Sequence, residues 1–130
     1  MVCEELTGKI IGMAMEVHRE LGAGYLEKVY ENSLALVLRE AGLEVRQQAP
    51  VPVKFRGVVV GDFVADLIVE NQVIVELKAV SGLNAAHEVQ LVSYLKSTGI
   101  DVGLLVNFGA SSLQFKRKYR TNPVNPVNPV

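Results

Sequence analysis

Asp66, Glu76 and Lys78 stand in a run, Asp66-Leu67-Ile68-Val69-Glu70-Asn71-Gln72-Val73-Ile74-Val75-Glu76-Leu77-Lys78, that is otherwise dominated by Val, Ile and Leu. A charge in a strand built for burial costs free energy unless it is paired or holds an ion. Two carboxylates supply the hard oxygens that suit Mg²⁺ or Mn²⁺. Mg²⁺ keeps several waters, so few protein ligands suffice and room remains for phosphate oxygens. Lys78, two residues after Glu76, projects to the same face of its strand. Its ammonium could orient an attacking water and offset charge on a phosphorane-like transition state. The alternative is a buried ion pair of Lys78 with Glu76 or Asp66 that needs no metal.

The two acids share a face only in one hairpin register. A three-residue loop, Glu70-Asn71-Gln72, sets position 66 opposite 76. A two-residue loop, the commoner kind in hairpins, would set 66 opposite 77 and throw the acids onto opposite faces. The site therefore requires the longer loop, in which Asn71 suits a left-handed residue.

The elements that must hold this hairpin are readable from periodicity. Leu6 to Leu21 forms an amphipathic helix with Thr7 as N-cap and Gly22 and Gly24 at its end. A second helix runs from Leu26 to Ala41, with Leu26, Tyr30, Leu34, Val37, Leu38 and Ala41 on its apolar arc. Glu27 falls inside that arc and Glu31 just beyond its edge. A glutamate on a buried face needs a partner or a metal, although in a first turn the helix dipole alone can stabilise it. Strands follow at Val45–Gln48, Val53–Phe55, Val58–Val69 and Val73–Ala79, with Pro50 and Pro52 marking an edge or a break. Asp62, beside Gly61, reads as a strand-end or bulge residue. A third helix extends from Asn84, a good N-cap, to Thr98, and carries a polar stripe of His87, Gln90 and Tyr94. Val102–Phe108 and Leu113–Lys116 are the last strands. The order implies helices packed on both faces of a mixed central sheet.

At 130 residues and 49% hydrophobic content the chain has room for one domain with a true core. Residues 1–120 read as that domain. Residues 121–130, which repeat Asn-Pro-Val, read as a disordered tail, because proline at every third position forbids helix and central strand. No apolar run is long enough for a membrane span, the N-terminal region lacks a basic leader, and the lone Cys3 suits a reducing cytoplasm. The net charge of −1 does not announce a nucleic-acid binder, yet Lys116, Arg117, Lys118 and Arg120 form a basic run. That run is either a solvated chain end or a phosphate-contacting patch. His18 reads as a structural histidine, and two histidines with one cysteine lack the spacing of a zinc site.

Taken together these residues carry a resemblance. Asp66 followed by Glu76-Leu77-Lys78 resembles the signature of the PD-(D/E)xK nuclease superfamily. Gln90-Leu91-Val92-Ser93-Tyr94 is similar to the Gln-x-x-x-Tyr helix of its RecB-like branch. Gly24-Tyr25-Leu26-Glu27-Lys28-Val29-Tyr30 fits the motif of the small prokaryotic GxxExxY proteins, and the likeness continues through His87-Glu88-Val89-Gln90 to Asn107-Phe108-Gly109. The chain departs from the superfamily pattern at Ala65, where a proline often precedes the acid. The resemblance implies an α/β, restriction-endonuclease-like αβββαβ core and a metal-dependent nuclease acting on DNA or RNA. It implies Mg²⁺ or Mn²⁺ held by Asp66, Glu76 and the Leu77 carbonyl, with Glu27 as a further ligand, direct or through water. Lys78 becomes the catalytic lysine. Gln90, Tyr94, Tyr30 and His87 become substrate-contacting or bracing residues. A non-catalytic nucleic-acid or protein-binding module on the same fold is the alternative. A homodimer or partner protein is expected to supply further contacts, with Val29 and Leu36 as candidates for the contact surface.

Overall fold

The structure, a computed structural model, describes residues 3–121. Of the expected tail at 121–130, residues 122–130 lie outside the described residues. The elements are α1 (Glu4–Leu21), α2 (Glu27–Glu40), β1 (Val45–Phe55), β2 (Val58–Val69), β3 (Val73–Lys78), α3 (Ala85–Thr98), β4 (Val102–Asn107) and β5 (Gln114–Tyr119). The five strands form one sheet in the order β1-β2-β3-β4-β5. β3 and β4 are parallel, joined across α3, and every other pair is antiparallel. This is a mixed sheet of the restriction-endonuclease-like kind.

Alternation along the central strands sorts their side chains into two cores. Leu67, Val69, Val73, Val75, Leu77, Val102, Leu104 and Val106 pack under α1 and α2. Ile68, Ile74 and Leu105 pack under α3 with Leu91, Tyr94 and Leu95. β3 and β4 are almost wholly buried, as strands covered on both faces must be.

Some local expectations are corrected. α1 begins at Glu4, and Thr7 is not its cap: the Thr7 hydroxyl donates to the Cys3 and Glu4 carbonyls from inside the first turn. β1 is one strand that runs through Pro50 and Pro52, which its position at the sheet edge permits. β5 includes Lys116, Arg117 and Lys118 of the basic run, with Arg120 just past its end, and these charges are largely answered within the chain. Lys116 and Lys118 pair with Glu88 at 3.3 and 3.0 Å, Arg120 pairs with Asp101 at 2.6 Å, and Arg117 donates to Thr7. Lys116 and Lys118 thus hold the edge strand to α3, while Arg117 is tied to α1 and Arg120 to the segment before β4.

The decisive local feature is a change of face in the β1–β2 pair. Val45 and Leu67 belong to the α1/α2 core, yet Ala49, Val51 and Ala65, of the same parity, belong to the α3 core. The switch falls at Gln48, which takes φ +50° and lies between the paired positions Gln47↔Leu67 and Ala49↔Ala65, facing Asp66. A left-handed residue rotates the strand, so residues two apart no longer share a side. β2 pairs with β3 only over Leu67–Val69, whereas it pairs with β1 along its whole length. Past Asp66 the two outer strands therefore leave the sheet as an arm.

Candidate functional site

The hairpin joining β2 to β3 has the longer loop. Leu67↔Val75, Ile68↔Ile74 and Val69↔Val73 pair, which sets Asp66 opposite Glu76. Glu70 and Asn71 both take left-handed φ of 54°, and the Gln72 N–H closes the turn on the Val69 carbonyl at 2.9 Å. At the next step the ladder stops and side chains replace it. The Asp66 N–H donates to Glu76 Oε2 at 2.7 Å, and the Leu77 N–H donates to Asp66 Oδ2 at 2.9 Å. The strands part here, and the two carboxylates fill the fork.

Burial makes this fork electrostatically expensive. Glu76 is 5% exposed, and desolvation, then the Asp66 charge, pushes its carboxyl up to about 8. Asp66 is half-buried and raised for the same first reason, against the lowering effects of the Leu77 N–H and Gln48 hydrogen bonds. Lys78 is half-buried beside them and lowers both through space, but among the described residues no carboxylate lies within 4.0 Å of its ammonium. The ion-pair alternative is therefore not what the fork contains. The Lys78 backbone is well held. Its carbonyl accepts from the Phe108 N–H at 2.9 Å, and the wholly buried Asn107 side chain bonds both the N–H and the carbonyl of Val80.

α2 contributes two glutamates in roles that differ from those its periodicity suggests. Glu27 is exposed, not buried. Its carboxyl is still raised, by partial desolvation and then by Asp66, and lowered by Lys78, so it stands within reach of the same field. Glu31 is the buried one, 3% exposed. It accepts from Gln47 and Gln48, each at 2.8 Å, and from Lys28 at 3.2 Å. Gln48 gives its other amide hydrogen to Asp66 Oδ1 at 3.2 Å. Both Asp66 oxygens are thus fixed, one by Leu77 and one by Gln48. The sequence places Glu31 beyond the arc and Asn107 in the family likeness but assigns neither of them, nor Gln48, a site role; the Gln47-Gln48 pair closing a short strand is the available signal.

The other expected residues divide. Tyr94 is buried on α3, and its hydroxyl is raised by desolvation, then by Glu76 and Asp66, which places it beside the fork. Gln90, one turn earlier, is exposed. Tyr30 is a brace: fully buried, stacked on Phe108 at 4.6 Å, its hydroxyl donates to the Gly22 carbonyl and accepts from the Tyr25 N–H. It secures the loop that leads into Glu27. His87 is also structural, forming a reciprocal capping box with Asn84 at the start of α3. His18 bonds the Ala110 carbonyl at 2.9 Å.

Among the described residues no three Asp, Glu, His or Cys side chains form a cation cage. Two repelling carboxylates, Asp66 and Glu76, nevertheless fit a hard divalent ion that keeps most of its waters.

The family model of the PD-(D/E)XK nuclease superfamily matches residues 4–118. Among solved structures, the crystal structure of SSO0001 is similar in fold, with a TM-score of 0.55 at 20% identity over 72% of this chain. This chain spans 50% of that one. No curated protein matches.

Proposed function

Because the chain belongs to the PD-(D/E)XK nuclease superfamily, we propose that it is a divalent-metal-dependent nuclease hydrolysing phosphodiester bonds in DNA or RNA, of the GxxExxY branch. The observation that carries this reading is the fork, where Asp66 and Glu76 meet in direct register with Lys78, which makes no ion pair among the described residues, beside them. Asp66, Glu76 and the Leu77 carbonyl would hold Mg²⁺ or Mn²⁺, with Glu27 reaching it through water. The ion, when bound, would supply a Lewis acid and lower the pKa of a water.

The chain's own groups do the rest. Lys78 donates hydrogen bonds to the attacking water and to the phosphoryl oxygens as charge builds on them. Tyr94 and Gln90 contact the substrate backbone from α3. Glu76 would have to give up its proton to hold the ion, so metal uptake would be favoured by rising pH up to about 8.

The test is cleavage of single- and double-stranded DNA and RNA by the full chain, with Mg²⁺ or Mn²⁺ and with a chelator. Lys78→Ala should lower the rate by about 10²- to 10³-fold, as removal of a transition-state donor does, while divalent binding is retained. A wild-type chain that binds the metal and cuts none of these substrates would refute the nuclease reading. The fold would then serve as a binding module.

A further inference from the structure

The β1–β2 arm carries an aromatic track that starts at the acidic centre. Tyr94, beside Asp66 and Glu76, meets the Phe63 ring at a centroid distance of 6.0 Å. Phe63 lies over Gly61, where a Cβ would meet its ring at 2.9 Å, so the glycine makes room for the ring on the strand. Val53 pairs with Gly61, and Phe55 has the same parity as Val53, so Phe55 shares this face further out. At the tip, the Arg56 guanidinium stands 5.1 Å over the Phe55 ring. Phe63 and Phe55 are 49% and 61% exposed.

Exposed rings on a projecting two-stranded arm are unfavourable in water unless something covers them, and such a hairpin gains little from its own contacts. The occupant must be apolar and flat against the rings and anionic where Arg56 stands over Phe55. It must also run continuously into Asp66, Glu76 and Lys78. Unpaired nucleobases on a phosphate backbone meet all three conditions, whereas a duplex hides its base faces.

Resting on the nuclease reading, we propose that the arm selects single-stranded nucleic acid, whose bases stack on Phe63 and Phe55 while its backbone leads to the acidic fork. Arg56 screens the phosphate charge at the tip. The valines Val58, Val59 and Val60 on the same arm are exposed as well, and a second copy of the chain is the competing occupant that the experiment must separate.

The experiment is fluorescence-anisotropy titration of labelled single strands and matched duplexes with the full chain in chelator, so that nothing is cut. Wild type should bind single strands more tightly than duplex. Phe63→Leu and Phe55→Leu, which keep apolarity but lose the ring, should each weaken single-strand binding by roughly 5- to 100-fold. Phe63→Trp and Phe55→Trp should restore it. Arg56→Ala should lower the slope of log affinity against log salt by about one, and the two Leu variants should leave that slope unchanged. Leu variants that bind like wild type, or a duplex preference, would overturn the proposal. So would sedimentation showing a dimer that Phe55→Leu dissociates. A wild-type chain that binds single strands through Phe63 and Phe55 in chelator, yet cuts none of them when Mg²⁺ or Mn²⁺ is added, would count against the nuclease reading alone.

Discussion

Glu76 sets the pH behaviour of the metal-free protein. Its carboxyl rises from an ordinary 4.5 to about 8 because burial and Asp66 oppose its charge. Between those values the folded chain holds a proton that the unfolded chain releases, so the Glu76 contribution to stability falls as pH rises through that window. The fall is at most about 1.4 kcal/mol per pH unit. Thermal melts from pH 5 to 8 should show this decline in chelator, with the stabilisation by Mg²⁺ growing over the same range. Glu76→Gln, which keeps an acceptor for the Asp66 N–H, should flatten the profile and abolish the Mg²⁺ effect. Gln48 gives a second residue-scale prediction. Its left-handed backbone favours glycine, so Gln48→Gly should hold or raise the melting temperature. The same change frees Asp66 Oδ1, and Mn²⁺ affinity measured by electron paramagnetic resonance should drop by about 10- to 100-fold, as loss of an orienting partner does. Opposite movements of stability and affinity would separate a positioning role from a structural one.

At the scale of elements, the β2–β3 turn is what brings the acids together. Asn71 at φ 54° tolerates the left-handed region, and a β-branched residue does not. Asn71→Val should therefore cost about 1–2 kcal/mol in denaturant melts, and Asn71→Gly should be neutral or stabilising. α3 depends on its Asn84–His87 capping box, which also sets the start of the helix that carries Gln90 and Tyr94. Asn84→Ala should cost about 1 kcal/mol. The register of this hairpin could be stated as a requirement from the spacing of Asp66 and Glu76. That Glu70 would join Asn71 in the left-handed region could not, because the turn is selected by the whole sheet.

Across the whole molecule, charge pairing decides which surface meets an anionic polymer. Lys116 and Lys118 lie 3.3 and 3.0 Å from Glu88, whose carboxyl they hold below its ordinary value, chiefly through the Lys118 hydrogen bond. Glu88→Gln should unmask them and strengthen nonspecific, salt-sensitive nucleic-acid binding, with a steeper salt slope. A slope that does not move would mean that these lysines already contact phosphate in the wild-type chain. Leu36 of α2 is 59% exposed and Val29 is exposed beside it, so the surface suggested for a partner is physically open.

Periodicity and composition alone determined the three helices and every strand except the continuous β1, the two-faced burial of β3 and β4, and the acid pair with its lysine. Those depend on local alternation, on turn residues, and on the cost of placing charge among Val, Ile and Leu. Tertiary structure alone decided which glutamate of α2 is buried, because Glu27 and Glu31 lie one turn apart and only the position of β1 against that face distinguishes them. It decided that Tyr30 braces the loop before α2 and that His87 caps α3. It also decided the change of face at Gln48. A strand's alternation is legible only while every residue stays in the β region, and one left-handed residue opposite Asp66 rotates the arm that follows.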